Sequence, residues 1–262
     1  DPLHVQFGRY VGNLARGDLG RSHVSNELVV DQLARALPAT IELGLLALFL
    51  ATILGITLGA FTALNPRTWW DLFGLLLALV GVSLPIFWLG FLALEVLSIN
   101  GVFVGFAGFE GFPIGERFDA GVFPLRKFVN ETSGTTGFLL YDTLVVAKSP
   151  EAFWHCVKHL TVPALVLSTV PTAVIARITR AALGEVLLED YIRTARAKGL
   201  TKFQIVVKHA LRNASIPIVT SIGTQLGYLL GGAVLTEKVF EWAGMGSYMV
   251  GAILNKDVKP LQ

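Results

Sequence analysis

Two short stretches of this chain carry residue types that could do chemistry. In "WHCVKH", His155 and His159 stand four positions apart with Cys156 between them. On a helix that spacing brings two imidazoles to one face, as a metal site needs. Glu151 is the only carboxylate close in sequence, so residues bordering an apolar run are the simpler account and no metal is expected. In "GMGSYMVG", Gly244, Gly246 and Gly251 resemble a phosphate-cradling loop, but its Lys and the preceding apolar strand are missing. No G-x-x-x-x-G-K-[ST] occurs anywhere in the chain, so no nucleotide site is expected here. Glu42 and Glu95 are isolated acids near the ends of apolar runs. Paired-carboxylate or nucleophile–base chemistry at membrane depth therefore has no visible residues, and no catalytic residue is expected.

A third stretch is charged rather than reactive. "LEDYIRTARAKGLTKFQIVVKHALRNASIPIV" gathers Arg193, Arg196, Lys198, Lys202, Lys208 and Arg212 against Glu189 and Asp190. Gly199 divides it. Tyr191 to Lys198 reads as a short helix with Ile192 and Ala195 paired at i, i+3. Thr201 and Gln204 predict a capping box for a second helix. Phe203, Val206, Val207, Ala210 and Leu211 then fall on one face, with Lys202, Lys208 and Arg212 on or near the other. Such a block fits a membrane-surface helix, a docking site for a protein partner, or a nucleic-acid patch. Only Tyr191 and Phe203 supply aromatic context, so nucleic acid is not expected. Pattern alone favours lipid contact and leaves docking open.

The elements around these residues follow from composition. Hydrophobic residues make up 53% of 262, charged residues 15%, and the mean hydropathy is +0.62. Four runs are long and apolar enough to cross a bilayer: residues 41–64, 72–98, 160–183 and 214–236. The third reaches its length if Arg177 and Arg180 snorkel to the interface. The chain reads as an all-α polytopic membrane protein. Pro85, Pro163 and Pro171 lie within spans, where each removes a backbone donor and favours a kink. Gly223, Gly227 and Gly231 repeat a G-x-x-x-G spacing in the last span, for packing within the subunit or against another. Gly55 and Gly59 do the same in the first span, for packing. Arg177, Gln225 and Tyr228 are candidate liners of a polar path, with snorkelling or hydrogen bonding to a neighbouring helix as the alternatives.

Charge sets the expected topology. Arg177 to Arg212 holds eight Lys/Arg against three acids, whereas the loop at 99–159 holds five against six. The positive-inside rule places residues 184–213 in the cytoplasm. Residues 1–37 and the loop 99–159 then lie outside, with residues 38–262 forming the membrane domain. The chain opens "DPLHVQFGRY" without an apolar leader and stops at "NKDVKPLQ". We expect a further span on either side, for six in all. Cys156 is the single cysteine, so no internal disulfide is possible.

"DYIRTARAKGL" followed by "KHALRNASIPIV" resembles the cytoplasmic EAA loop of ABC importer permeases, in the form used by the dipeptide/oligopeptide/nickel group. Aligned on Gly199, the general pattern's Glu falls at Arg193, its two Ala at Thr194 and Ala195, and its final Pro at Arg212. The general motif is thus poorly matched and the peptide-group form closely matched. "RGDLGRS", "LPATIELGLLAL", "GVSLPIFWLGF", "TGFLLYDTL", "HLTVPALVLSTVPTAVIARITRAALGEVL" and "GGAVLTEKVFEWAGMGSYMVGAI" continue the likeness in order along the chain.

The resemblance implies a type I importer fold and a B-type permease subunit in a bacterial or archaeal cytoplasmic membrane. It implies a second permease, two cytoplasmic ATPase subunits holding ATP and Mg, and an extracytoplasmic binding protein that delivers a peptide. It assigns ATPase docking to Tyr191, Arg193, Ala195, Lys198, Gly199 and Leu200; Arg196, on its chemistry alone, could face lipid headgroups instead. The same machine handling a nickel chelate, glutathione or another solute is the alternative, and a membrane sensor or scaffold is one of a different class.

Overall fold

The computed structural model describes residues 2–98, 111–113, 115, 117 and 136–261. The Gly- and Phe-rich parts of the loop at 99–110 and 118–135 lie outside the described residues. The described secondary structure is helical: α1 (Leu3–Leu14), α2 (Val29–Leu64), α3 (Trp69–Ser83), α4 (Ile86–Leu97), α5 (Pro150–Val186), α6 (Asp190–Ala197), α7 (Ser215–Val239) and α8 (Met245–Leu254), with shorter turns between. Among the described residues, helices α2 and α5 are each long and apolar enough to cross a membrane, and the count rises to four if the bent pairs α3–α4 and Ser215–Gly231 with Ala233–Val239 are each taken as one span.

The helices depart from the sequence-derived spans in ways the residues explain. Helix α2 begins at Val29, ahead of the expected 41, and runs through Pro38. Its 36 residues make a rod about 54 Å long at the α-helical rise. Residues 1–37 therefore hold helix α1 and the first turns of α2. Helix α5 likewise starts at Pro150, inside the stretch read as outside loop, and passes through Pro163 and Pro171. The run at 72–98 is not one rod: α3 and α4 meet at 105°. Leu84 is extended at this joint, and Pro85 opens α4 as its N-cap residue. Proline has no N–H to continue the ladder, and it disfavours helical backbone at the residue before it.

The chain divides into two compact units. The first comprises Asp1–Glu42, Phe112–Leu160 and Val234–Gln262, and polar ties hold it. The buried Glu237 accepts from the Thr40 hydroxyl at 2.6 Å and from the Ser247 amide at 3.0 Å. The Met245 amide donates to the same Thr40 oxygen at 2.8 Å. The Trp242 indole donates to the Ala39 carbonyl at 3.0 Å. A buried carboxylate needs hydrogen-bond or charge partners, and Glu42 has both: it accepts from Arg117 and from the Leu140 amide at 2.8 Å. Glu42 is thus not the isolated acid its neighbours in sequence suggest. Asp142 accepts from the Thr136 and Gly137 amides, both at 3.0 Å, which shapes the "TGFLLYDTL" stretch.

The second unit comprises Leu43–Gly111 and Thr161–Ala233. Here α2 and α5 approach through small residues. A Cβ on Gly55 would stand 2.8 Å from the Ile175 Cβ, too close for any real side chain. Gly59 faces the Ala176 carbonyl in the same way. The packing expected of these glycines is therefore visible as backbone-to-helix contact. This unit also carries the basic block.

Candidate functional site

Gly199 shapes the basic block. Helix α6 ends where the Leu200 amide turns back to the Ala195 carbonyl at 3.3 Å and the Gly199 amide to Arg196 at 3.0 Å. That closure requires a left-handed residue, and Gly199 supplies it at φ +81°. Two residues on, both arms of the expected capping box form. The Gln204 amide donates to the Thr201 hydroxyl at 3.3 Å, and the Thr201 amide to the Gln204 side chain at 3.0 Å.

The inner face is apolar and closed. Ile192 is fully buried and Ala195 is 6% exposed. They pack with Leu183, Ile205, Ala210, Ala214 and Ile218, with Leu200 partly buried beside them. Ala195 therefore points its side chain into the core. The second half differs from its expected face. Ile205, Val206 and Ala210 are buried, while Phe203 is 75% exposed and Val207 is exposed. Residues Ile205–Ala210 form a π-helical stretch, closed by the Leu211 amide on the Val206 carbonyl. This i→i+5 bonding widens the turn by about one residue and moves the buried face off the 3.6-residue period.

The outer face is cationic. Arg193, Arg196, Lys198 and Gly199 are exposed, and Arg193 makes an exposed ion pair with Asp190 at 3.2 Å. Leu188 and Phe203 add bare apolar side chains, which sequence patterning had not marked as surface. Tyr191 is exposed too, but it has a partner within the chain. Its hydroxyl accepts from the Asn213 side chain at 2.5 Å, a partner 22 positions away that no local pattern signals. The block is thus a short helix held from inside and open outside. That arrangement suits docking.

The other candidates are dispersed. Arg177 is exposed. Arg180, expected to snorkel, instead donates from two nitrogens to Asp71, at 2.6 and 2.8 Å. Gln225 is half-buried and Tyr228 exposed. A Cβ on Gly223, Gly227 or Gly231 would meet no described atom within 4 Å. The His155 and His159 rings meet tilted at 41° with centroids 4.7 Å apart, and the His159 Nδ1 lies 3.1 Å from the Gly115 carbonyl. Among the described residues no three His, Cys, Asp or Glu side chains converge as a metal site would require.

Residues 55–261 match the family described as "Binding-protein-dependent transport system inner membrane component". The whole chain is 42% identical to the di/tripeptide transport system permease protein DppB of Pseudomonas aeruginosa, over 73% of that protein. It is 39% identical to the dipeptide transport system permease protein DppB of Escherichia coli, again over 73%. It is 34% identical to the glutathione transport system permease protein GsiC of Salmonella paratyphi A, over 71%.

Proposed function

Because this chain belongs to the binding-protein-dependent transport system inner membrane components, in the dipeptide/oligopeptide/nickel group of ABC importer permeases, we propose that it carries di- or tripeptides across the inner membrane. It is a multi-pass membrane protein, and its relatives are named as permease subunits of transport systems, not as enzymes. In this reading a second permease completes the pathway, two ATPase subunits bind ATP and Mg on the cytoplasmic side, and a binding protein delivers the peptide. The open faces of Gly223, Gly227 and Gly231 meet the second permease. Gln225 and Tyr228 line the path, and Arg177 stands at its cytoplasmic end. Residues 184–213 lie in the cytoplasm as the coupling loop.

The observation that carries the docking role is the two-sidedness of α6. Its inner residues are sunk in one apolar cluster, so a force applied to Arg193, Lys198 or the Gly199 turn moves the cluster as a body. Coupling of this kind needs contacts that differ between two states of the ATPase pair. The substrate class rests on the di/tripeptide and dipeptide relatives, each matched along the whole chain. The 34% match to a glutathione permease supports a second reading, uptake of that tripeptide thiol.

The test is reconstitution of the complete complex in proteoliposomes with labelled dialanine, trialanine and glutathione in turn. We expect ATP-dependent uptake of the alanine peptides, and the double variant Arg193→Glu/Lys198→Glu to lose bound ATPase. Uptake of glutathione alone would replace the substrate reading. ATPase retained in the charge-reversed variant would remove the docking role from these cations.

A further inference from the structure

The link between Tyr191 and Asn213 joins two elements whose relative orientation matters. Tyr191 is the second residue of α6, and Asn213 stands two residues before α7. The Asn213 Nδ2 donates to the Tyr191 hydroxyl at 2.5 Å. Beside this contact, Ile192 and Ala195 of α6 share one apolar cluster with Ala210 and Ala214, which precede α7, and with Ile218 inside it. Apolar packing attracts without direction and lets a short helix roll on its bed. A hydrogen bond between two side chains is directional, and it sets the angle at which the helix lies. The tyrosine ring is a rigid arm with two torsions, so it carries that constraint across the cluster edge without slack.

We propose that Tyr191 and Asn213 form a strut that fixes the roll of α6 against the base of α7, so that a push on α6 turns the span and is not lost in rolling. This rests on the reading of the block as the ATPase handle. Tyr191 then acts inside this chain as a positioning residue, whereas Arg193 and Lys198 face the ATPase. Because the pair is exposed to water, its loss should disturb coupling far more than folding.

The test uses the full complex in proteoliposomes and reads ATP hydrolysed per dialanine imported. Tyr191→Phe keeps the ring and removes the acceptor, and Asn213→Ala removes the donor. Each should raise the ratio about three- to tenfold, the span that loss of one hydrogen bond corresponds to. The double variant should be no worse than either single one, as expected of a pair acting together. An unchanged ratio in Tyr191→Phe overturns the strut, as do additive effects. Loss of the ATPase subunits from Tyr191→Phe overturns it too, since the hydroxyl would then be touching the partner. A second measurement does not depend on any substrate. Spin labels placed by Arg196→Cys and Ile216→Cys, in a Cys156→Ser background, report the distance between α6 and α7 in the assembled complex. A distribution that broadens with Tyr191→Phe supports the strut, and an unaltered one overturns it. Wild-type complex that imports no peptide refutes the substrate reading, and the spin-label result still decides the strut.

Discussion

Asp71 holds Arg180 with both carboxylate oxygens across 109 positions of sequence: Nε donates at 2.6 Å and Nη2 at 2.8 Å. The Arg67 amide donates to the same carboxylate at 3.0 Å, and Thr68 caps the helix that Asp71 sits in. Two parallel bonds in a planar fork make this a geometric constraint as well as an attraction.

Breaking that fork should cost stability. Asp71 is buried while the Arg180 side chain is 35% exposed, so water compensates in part. We expect Asp71→Asn and Arg180→Gln each to destabilise the chain by about 1–3 kcal/mol, below the range for a fully buried pair. The double variant should be less destabilised than the two single losses summed. Thermal unfolding of all three proteins in one detergent measures this.

The glycines divide into two groups with opposite expected behaviour. Gly55→Ala must displace Ile175, because the new Cβ would lie 2.8 Å from it; overpacking of this kind costs about 1–3 kcal/mol. Gly223→Ala and Gly227→Ala meet open space among the described residues, so each should leave the melting temperature unchanged or raise it slightly. If that face meets the second permease, those two variants should recover less of it in pull-down. Equal recovery would move the interface elsewhere.

A pH dependence should appear where the amino-terminal segment meets the tail. The Ser22 hydroxyl hydrogen-bonds the Asp257 carboxylate, and the His23 amide donates to it at 3.1 Å. These bonds, the serine's foremost, hold the carboxyl below its ordinary value of 3.8. A depressed carboxyl stabilises the folded form above its unfolded value and loses that contribution as pH falls through the folded one. Protection of the His23 amide, expressed against its intrinsic exchange rate, should therefore be high at neutral pH and fall below about pH 4. Asp257→Asn should exchange faster at neutral pH and show no such acid step.

Local signals in the sequence were a good guide where local physics decides. Thr201 and Gln204 are three residues apart, and the capping box they imply is present with both arms. Gly199 separates two helical pieces, since only glycine takes φ +81° without strain. Ile192 and Ala195 are buried as their spacing requires. The same reasoning failed at Phe203 and Val207, which are exposed; Val207 lies in a π-helical stretch, whose hydrogen bonding composition does not announce. At Pro85 the kink that proline favours is present, as a 105° bend that divides the run at 72–98 into two helices.

By itself the sequence determined that this is an all-α membrane protein, where its apolar runs lie, and that its cations concentrate in one block. Those are properties of neighbours along the chain, governed by hydropathy, periodicity and charge. Tertiary structure alone decided that Arg180 pairs with Asp71 and does not snorkel, that Glu42 is satisfied by Arg117 and Leu140, and that the Tyr191 hydroxyl faces Asn213. Each of these joins residues more than 20 positions apart. A polar group buried or half-buried in such a protein needs a partner, but which partner it finds depends on how the helices pack.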